Sequence, residues 1–154
     1  MFYTDEKIEE ILYRENIKIA SLSHRIAAFI VDVSLVAFLS WGIYINFLIT
    51  SSDDIQSKIY SIEKLILVYF ILNFIYQSLS LRFFSASIGK VIFGLKVISL
   101  LDLDRPMLKA IFKRSVLKVF EELLGFVLLI FAIDDKFYRA IHDRLSRTLV
   151  VSDR

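Results

Sequence analysis

The sequence contains no cysteine, one proline, four glycines and two histidines. Without cysteine the chain has no disulfide, no catalytic thiol and no Cys-ligated zinc. Two imidazoles are too few for a histidine-rich metal site. The scarcity of glycine and proline, together with 14% aromatic residues, excludes a disordered or collagen-like chain.

The excess of apolar residues predicts a small integral membrane protein. Charged residues make up 23% of the 154 residues and hydrophobic residues 56%. The mean hydropathy is +0.62. A water-soluble domain of this size could not cover so many apolar side chains with so little polar surface. The length allows one compact membrane domain.

Two apolar stretches predict membrane-spanning helices. Residues 26–49 contain one ionisable side chain, Asp32. A helix of that length extends about 36 Å, and the hydrocarbon core of a bilayer is about 30 Å thick. Residues 65–81 contain no charged side chain and are at the short limit for a span.

The distribution of Lys and Arg predicts the orientation of these two spans. Four lie in residues 1–25, two in 50–64, eight in 82–118 and five in 134–154. Cytoplasmic loops carry an excess of Lys and Arg. We therefore expect the N-terminus and residues 82–118 inside, and residues 50–64 outside.

A third apolar segment, residues 108–133, has two alternative interpretations. If it crosses the membrane, the basic C-terminal tail lies outside; if it dips in and returns, both of its flanks stay inside. Glu121, Glu122 and Gly125 lie where a broken helix would turn. The charge rule favours the re-entrant segment, and full crossing remains the alternative.

The remaining segments predict a helix and a pair of strands. The N-terminal 20 residues form an amphipathic pattern from Thr4 to about Ile19. Leu95–Ser99 and Thr148–Ser152 are rich in Val, Ile and Leu, which is typical of strands. Pairing of these two strands would require both on the same side of the membrane.

Three motifs accompany the apolar segments. They are SHRIAAFIVD at 23–32, SIGKVIFGLKV at 87–97 and RAIHDRLSRT at 139–148. In this order and spacing they resemble the RDD family of small membrane proteins, over about residues 20–152.

The resemblance implies a helical membrane fold and three named positions. Arg25, Asp32 and Asp143 would be the Arg and the two Asp residues that give the family its name. The sequence departs from the pattern after Arg114, where a pair of glutamates replaces a single aspartate. The family's molecular function is largely undefined, although transport or ion exchange is suggested for some members.

Asp32 is the charged residue that the bilayer tolerates least. An ionised carboxylate in mid-membrane costs about 3 kcal/mol on insertion scales. Arg25 is on nearly the same helix face but about 10 Å away along the axis, too far for contact. We expect Asp32 either to pair with Arg114, Lys118 or polar groups of the second span, or to remain protonated. Its role is either a protonatable or cation-binding site or a structural contact between helices.

Polar residues also form a stripe on the second predicted span: Tyr69, Asn73, Tyr76, Gln77 and Ser80. At this spacing they lie on one helix face. They form either interhelical hydrogen bonds or the wall of a polar pathway opposite the intramembrane aspartate.

A basic face is predicted beyond the second span. Anionic lipid headgroups attract such residues by about 1 kcal/mol each. The set comprises Arg82, Lys90, Lys96, Lys109, Lys113 and Arg114. Gly89 and Lys90 do not form a phosphate-binding loop, because the flanking Gly and Ser/Thr are missing. The two glycines of this motif are expected to permit close packing or a bend.

Charge pairing is also predicted in the C-terminal motif. Asp143 is expected to pair with its neighbours Arg139, Arg144 and Arg147. A catalytic pair with His142 is not expected, because successive helical residues point about 100° apart.

Together these features predict an all-α membrane protein with an N-terminal helix in residues 1–20 and an RDD-like domain at 21–152. The domain would contain spans at 26–49 and 65–81, the spanning or re-entrant segment 108–133, and a short cytoplasmic β-pair. We expect it in the bacterial inner membrane, in contact with anionic lipid.

The leading functional hypothesis is ion or solute transport by a homo-oligomer, because two or three spans rarely enclose a pathway. Asp32 would be the intramembrane carboxylate, with Arg25 and Asp143 beside it. Supporting candidates are Asn73, Gln77, Lys90, Arg114, Glu121, Glu122 and His142. The alternative is a non-transporting scaffold or assembly factor that binds lipid or a partner protein. An enzyme, a cofactor, a metal and nucleic-acid binding are not expected.

Overall fold

The computed structural model describes residues 5–48, 55–124, 133 and 135–153, which form six helices and two strands. The elements are α1 (Asp5–Arg14), α2 (Leu22–Leu48), α3 (Ile55–Phe84), α4 (Ile88–Ile92), β1 (Leu95–Ser99), α5 (Leu108–Leu123), α6 (Ile141–Ser146) and β2 (Thr148–Ser152). The chain is therefore mainly helical, with one small sheet.

The helices α2 and α3 are long and apolar enough to cross a membrane, over Leu22–Ile45 and Ile55–Phe84. They contain the predicted spans, except that residue 49 lies outside the described part. The helix α3 is longer than predicted, because the more polar residues 55–64 continue it. Large apolar side chains point outward along both helices, among them Ile30, Phe38, Trp41, Ile66, Leu67 and Ile71. Such a surface is unfavourable in water and suits lipid.

A two-stranded antiparallel sheet lies beyond one end of this helix pair. The register pairs Leu95 of β1 with Ser152 of β2 and Ser99 with Thr148. These are the two runs that the sequence predicts as strands, and their pairing is confirmed. Both strands are largely buried.

The sheet belongs to a small folded unit, here called the cap, which comprises residues 5–20, 95–107 and 135–153. Its core is formed by Ile8, Leu12, Ile98, Leu100, Phe137, Leu149 and Val151. Truncating a buried Leu or Ile in such a core to Ala costs about 2–5 kcal/mol. Because these core residues come from all three segments, the cap is assembled from three distant parts of the sequence.

The N-terminal helix is shorter than predicted. It ends at Arg14, and Asn16 adopts a left-handed conformation with φ 51°. Beyond it the chain is extended, and Ile19 forms a β-bridge with Val151. Ile19, which the sequence pattern assigns to the last turn of the helix, therefore lies at the edge of the sheet. Thr4, the expected helix cap, lies outside the described residues.

The helix α5 runs from the cap to the long helices. It begins just after the buried Pro106 and ends at Leu123. Leu123 lines a depression together with Trp41 of α2. Ile133 lines a cavity that also contains Leu22 and Val33 of α2. Residues 125–132, which include Gly125, lie outside the described part.

A second apolar cluster connects the cap to the helices. It contains Ala20, Ala28, Leu81, Leu95, Val97, Ile111 and Val150. These residues come from α2, α3, α5, both strands and the segment before α2. The candidate polar residues lie around this junction.

Candidate functional site

Asp32 joins three helices. It is 2% exposed and lies about 15 Å along α2 from its first residue. Its Oδ1 accepts a hydrogen bond of 2.6 Å from the hydroxyl of Tyr76 on α3. The same oxygen accepts one of 2.9 Å from the backbone N–H of Gly89 on α4. Of the partners that the sequence left open, a polar group of the second span is confirmed, whereas Arg114 binds Asp143 instead. The backbone donor was not foreseen.

Gly89 permits this contact because it has no side chain. A Cβ at this position would overlap the carbonyl oxygen of Ala28 and lie 2.9 Å from Oδ1 of Asp32. The hydroxyl of Tyr76 also accepts a hydrogen bond of 2.9 Å from the N–H of Ile88. The N-terminal turn of α4 therefore lies directly against α2, as the glycine in the motif led us to expect.

Arg25 connects α2 to the cap. Its guanidinium donates hydrogen bonds of 2.6 Å to the carbonyl oxygens of Tyr138 and Val150. Its Nη1 lies 3.8 Å from Oδ2 of Asp143. The Arg and the second Asp of the sequence motifs are thus adjacent, although 118 positions separate them. The sequence did not predict these two hydrogen bonds, because both acceptors are backbone carbonyl oxygens and not side chains.

Asp143 forms a buried ion pair with Arg114. The guanidinium of Arg114, 1% exposed, donates to Oδ1 of Asp143 and to the hydroxyl of Thr148. Burial alone raises the pKa of the Asp143 carboxyl, but the charges of Arg114 and Arg25 outweigh burial and hold the pKa below its usual range. The carboxylate is therefore ionised at neutral pH.

Two predictions about these residues are wrong. Asp143 does not pair with the arginines beside it in sequence. Instead Arg139 and Arg144 pair with Asp135, at 2.9 and 3.0 Å. Arg114 does not belong to a lipid-facing basic surface, because its buried side chain is turned into the junction.

His142 binds Glu121 of α5. Its Nδ1 is 2.6 Å from Oε2 of Glu121, and its backbone N–H donates to Oε1 at 2.6 Å. Burial lowers the pKa of the imidazole, although Asp143 and Glu121 raise it in part. The ring is therefore neutral at neutral pH. Its Nε2 is 3.5 Å from Oδ1 of Asp143, so the two neighbours approach more closely than helix geometry led us to expect.

The second glutamate connects α5 to α3. Glu122 accepts hydrogen bonds from the hydroxyl of Tyr69, at 3.3 Å, and from the amide of Asn73. Gln77 is buried one turn further along α3, and its Nε2 has no partner among the described residues. Three members of the polar stripe of α3, Tyr69, Asn73 and Tyr76, thus form interhelical hydrogen bonds. The Glu pair that departs from the family pattern supplies contacts to two different elements.

A cavity of about 510 Å³ lies between these contacts. Its charged lining consists of Arg25, Asp32, Lys90, Arg114, Lys118 and Asp143, with His142 beside them. Three buried atoms of these lining residues have no hydrogen-bond partner among the described residues: Oδ2 of Asp32, Nε of Arg25 and Nη2 of Arg114. The remaining lining is largely apolar: most of it comes from one face of α2, and Ile133, Tyr138, Ala140 and Val150 add to it from the C-terminal segment.

Lys90 and Lys118 enter this cavity from two different elements. Lys90 of α4 is half-buried rather than displayed on an open basic face, which corrects our expectation for this residue. Burial lowers its pKa, and the positive charges of Arg114 and Lys118 lower it further. The ammonium of Lys118 lies 5.7 Å from the centre of the Phe29 ring. Lys118 was foreseen only as one partner for the intramembrane aspartate.

The described residues contain no group of three or more His, Asp or Glu side chains placed to hold a metal ion. The arrangement is instead a set of ion pairs and hydrogen bonds around one charged cavity.

Comparison with known proteins gives one match. A family model described as "RDD family" matches residues 19–147. Neither the curated proteins nor the solved structures contain a match to the chain.

Proposed function

The chain belongs to the RDD family of membrane proteins, and we propose that it is a non-transporting membrane scaffold that holds a folded cap against the bilayer. The observation that carries the proposal is how the motif residues are used. Arg25, Asp32 and Asp143 each bind a group from a different element. Each such contact fixes the cap or α4 to the helices.

The proposed topology has α2 and α3 crossing the inner membrane of a bacterium, with the cap in the cytoplasm. The segment 108–133 would be re-entrant. Supporting this, α5 begins at the cap, and Asp135 is bound to Arg139 within it. A fully crossing segment would have to separate β2 from β1.

The packing of α1 supports a scaffold with a polar docking surface. The apolar face of α1 is used within the cap core through Ile8 and Leu12. Asp5 and Glu9 pair with Arg139 and Lys136 of the C-terminal segment. A partner protein would therefore meet charged cap surface rather than an open apolar helix.

Transport is the second candidate function, and the environment of a single atom supports it. Oδ2 of Asp32 is buried and has no hydrogen-bond partner among the described residues. An intramembrane carboxylate of this kind is a candidate ion or proton site. Two spans do not enclose a pathway, so this function would require a homo-oligomer.

The two functions are separable by flux and stability measurements on the same variants. The full chain and Asp32→Asn are reconstituted in liposomes, and dye-reported proton, cation and anion flux is recorded. Asn keeps an oxygen acceptor for Gly89 and removes the charge. Glu63→Gln, an exposed acid elsewhere on α3, is the matched control.

A scaffold gives no flux above protein-free liposomes for any of the three proteins, and the Asn variant lowers only the thermal stability. Flux by the native chain and the control that disappears in a folded Asp32→Asn protein would establish transport and refute the scaffold.

A further inference from the structure

We propose that the cavity beside α2 binds one anionic phospholipid, with its phosphate among the basic side chains and an acyl chain along the apolar face of α2. The inference goes beyond the scaffold role and would hold equally for a transporting protein. It assigns a defined site rather than a general attraction to the membrane surface.

The charge of the cavity favours an anion. Its lining holds four cationic side chains against two carboxylates. One carboxylate, Asp143, is already ion-paired with Arg114. Within the described part of the chain, Lys90 and Lys118 have no ion pair or hydrogen bond. The low pKa of Lys90, caused by burial and by its cationic neighbours, is consistent with a missing counter-charge.

Unpartnered donors at the same place add to this argument. Nε of Arg25 and Nη2 of Arg114 are buried and bind no acceptor among the described residues. A buried donor without an acceptor costs about 1–3 kcal/mol. A phosphate group offers several acceptor oxygens and is a preferred partner of guanidinium groups.

The shape of the cavity favours an amphiphile over a small inorganic ion. Leu22, Ile26, Phe29, Ile30 and Val33 line it at helical spacing. This face extends about 17 Å along α2, which suits an acyl chain. Ile26 and Ile30 are 44% and 57% exposed, so the cavity wall is open on the side where lipid would lie.

Native mass spectrometry of the full chain in detergent tests the site. The protein is mixed with equal amounts of phosphatidylglycerol and phosphatidylcholine that carry the same acyl chains. We expect one phosphatidylglycerol to be retained in preference. The Lys90→Gln/Lys118→Gln variant should lose roughly 25-fold of this preference, since a basic residue near a lipid headgroup contributes about 1 kcal/mol.

The matched control is Lys109→Gln/Lys113→Gln, which removes two exposed lysines of α5 outside the cavity lining. This variant should keep the native preference. Equal losses in both double variants would mean general surface attraction and would overturn the site. Absence of any preference in the native protein would also overturn it.

A second pair of variants tests the acyl-chain track without changing charge. Ile30→Trp fills the cavity face, whereas Phe38→Trp alters an exposed position outside the lining. Lipid retention should fall only in the first, so the test stands even if the lysine variant does not fold. Equal retention in the two would refute the track.

Thermal unfolding distinguishes a lipid from a free anion. Phosphatidylglycerol should raise the unfolding temperature of the native chain, and inorganic phosphate at the same concentration should not. Equal stabilisation by inorganic phosphate would assign the cavity to a soluble anion and contradict the proposal.

Discussion

The Arg114–Asp143 pair joins α5 to α6 through a buried ion pair. Both side chains are almost fully buried, and Thr148 completes the donor–acceptor set. Removing one partner of a buried ion pair leaves an uncompensated charge, and this costs about 3–5 kcal/mol. Removing both leaves neither charge of this pair behind, although Arg25 then loses its neighbouring carboxylate. The two residues are therefore expected to be strongly coupled.

A double-mutant cycle measures this coupling. Arg114→Met and Asp143→Asn should each lower the free energy of unfolding by about 3–5 kcal/mol, and the double variant by clearly less than the sum. Denaturant unfolding in detergent, followed by circular dichroism, gives the four values. The exposed pair Glu9–Lys136 serves as control and should show no measurable coupling. Additive effects at Arg114 and Asp143 would contradict the assigned pairing.

Sequence reasoning identified these residues but not all of their partners. The hydroxyl partner of Asp32 was foreseen, because Tyr76 lies on the polar face of the second span. The partner of Asp143 was not, because Arg114 lies 29 positions away and only the folded cap brings it close. Distance along the sequence alone predicted that Asp143 pairs with the neighbouring arginines. Two of these arginines bind Asp135 instead.

At the scale of the elements, the close packing of α4 against α2 depends on a single glycine, Gly89. Replacing Gly89 with Ala places a methyl group against the backbone oxygen of Ala28, and backbone cannot rotate away. Overpacking of this kind costs about 1–3 kcal/mol. We expect Gly89→Ala to lower the thermal stability and to weaken the hydrogen bond to Asp32.

Gly42, in the last third of α2, provides the matched control. A Cβ at this position meets nothing within 4 Å. Because Ala is favoured over Gly within a helix by about 0.5–1 kcal/mol, Gly42→Ala should leave stability unchanged or raise it. Thermal unfolding of both variants is the measurement. An equal change in the unfolding temperature of the two variants would show that α4 does not pack closely against α2.

The elements differ in how far sequence alone predicts them. The strands were located correctly, because short runs of Val, Ile and Leu between polar residues are a local signal. The end of α1 was not, since Ile19 fits a helical stripe but pairs with Val151 across the sheet. The extra turns of α3 were missed because helix formation does not stop where hydrophobicity falls.

At the scale of the whole molecule, the cap depends on all of its parts being on one side of the membrane. Residues 5–20 precede the first long helix, 95–107 follow the second, and 135–153 follow the third apolar segment. The contacts of Arg25 with Val150 and of β1 with β2 require these parts to meet. The distribution of Lys and Arg along the sequence favoured this arrangement only weakly. The length of the third apolar segment was also compatible with a full crossing.

Accessibility of single cysteines tests this arrangement most directly, and the natural absence of cysteine leaves no background. Asp102→Cys and Asp153→Cys place a thiol on exposed cap positions, and Gln56→Cys places one at the start of α3. Each is treated with a membrane-impermeant maleimide in vesicles of known orientation. Positions 102 and 153 should react from the same side, and position 56 from the opposite side. Reaction of position 153 from the side of position 56 would mean that the third segment crosses, and a cap held together by Arg25, Arg114 and Asp143 could not exist.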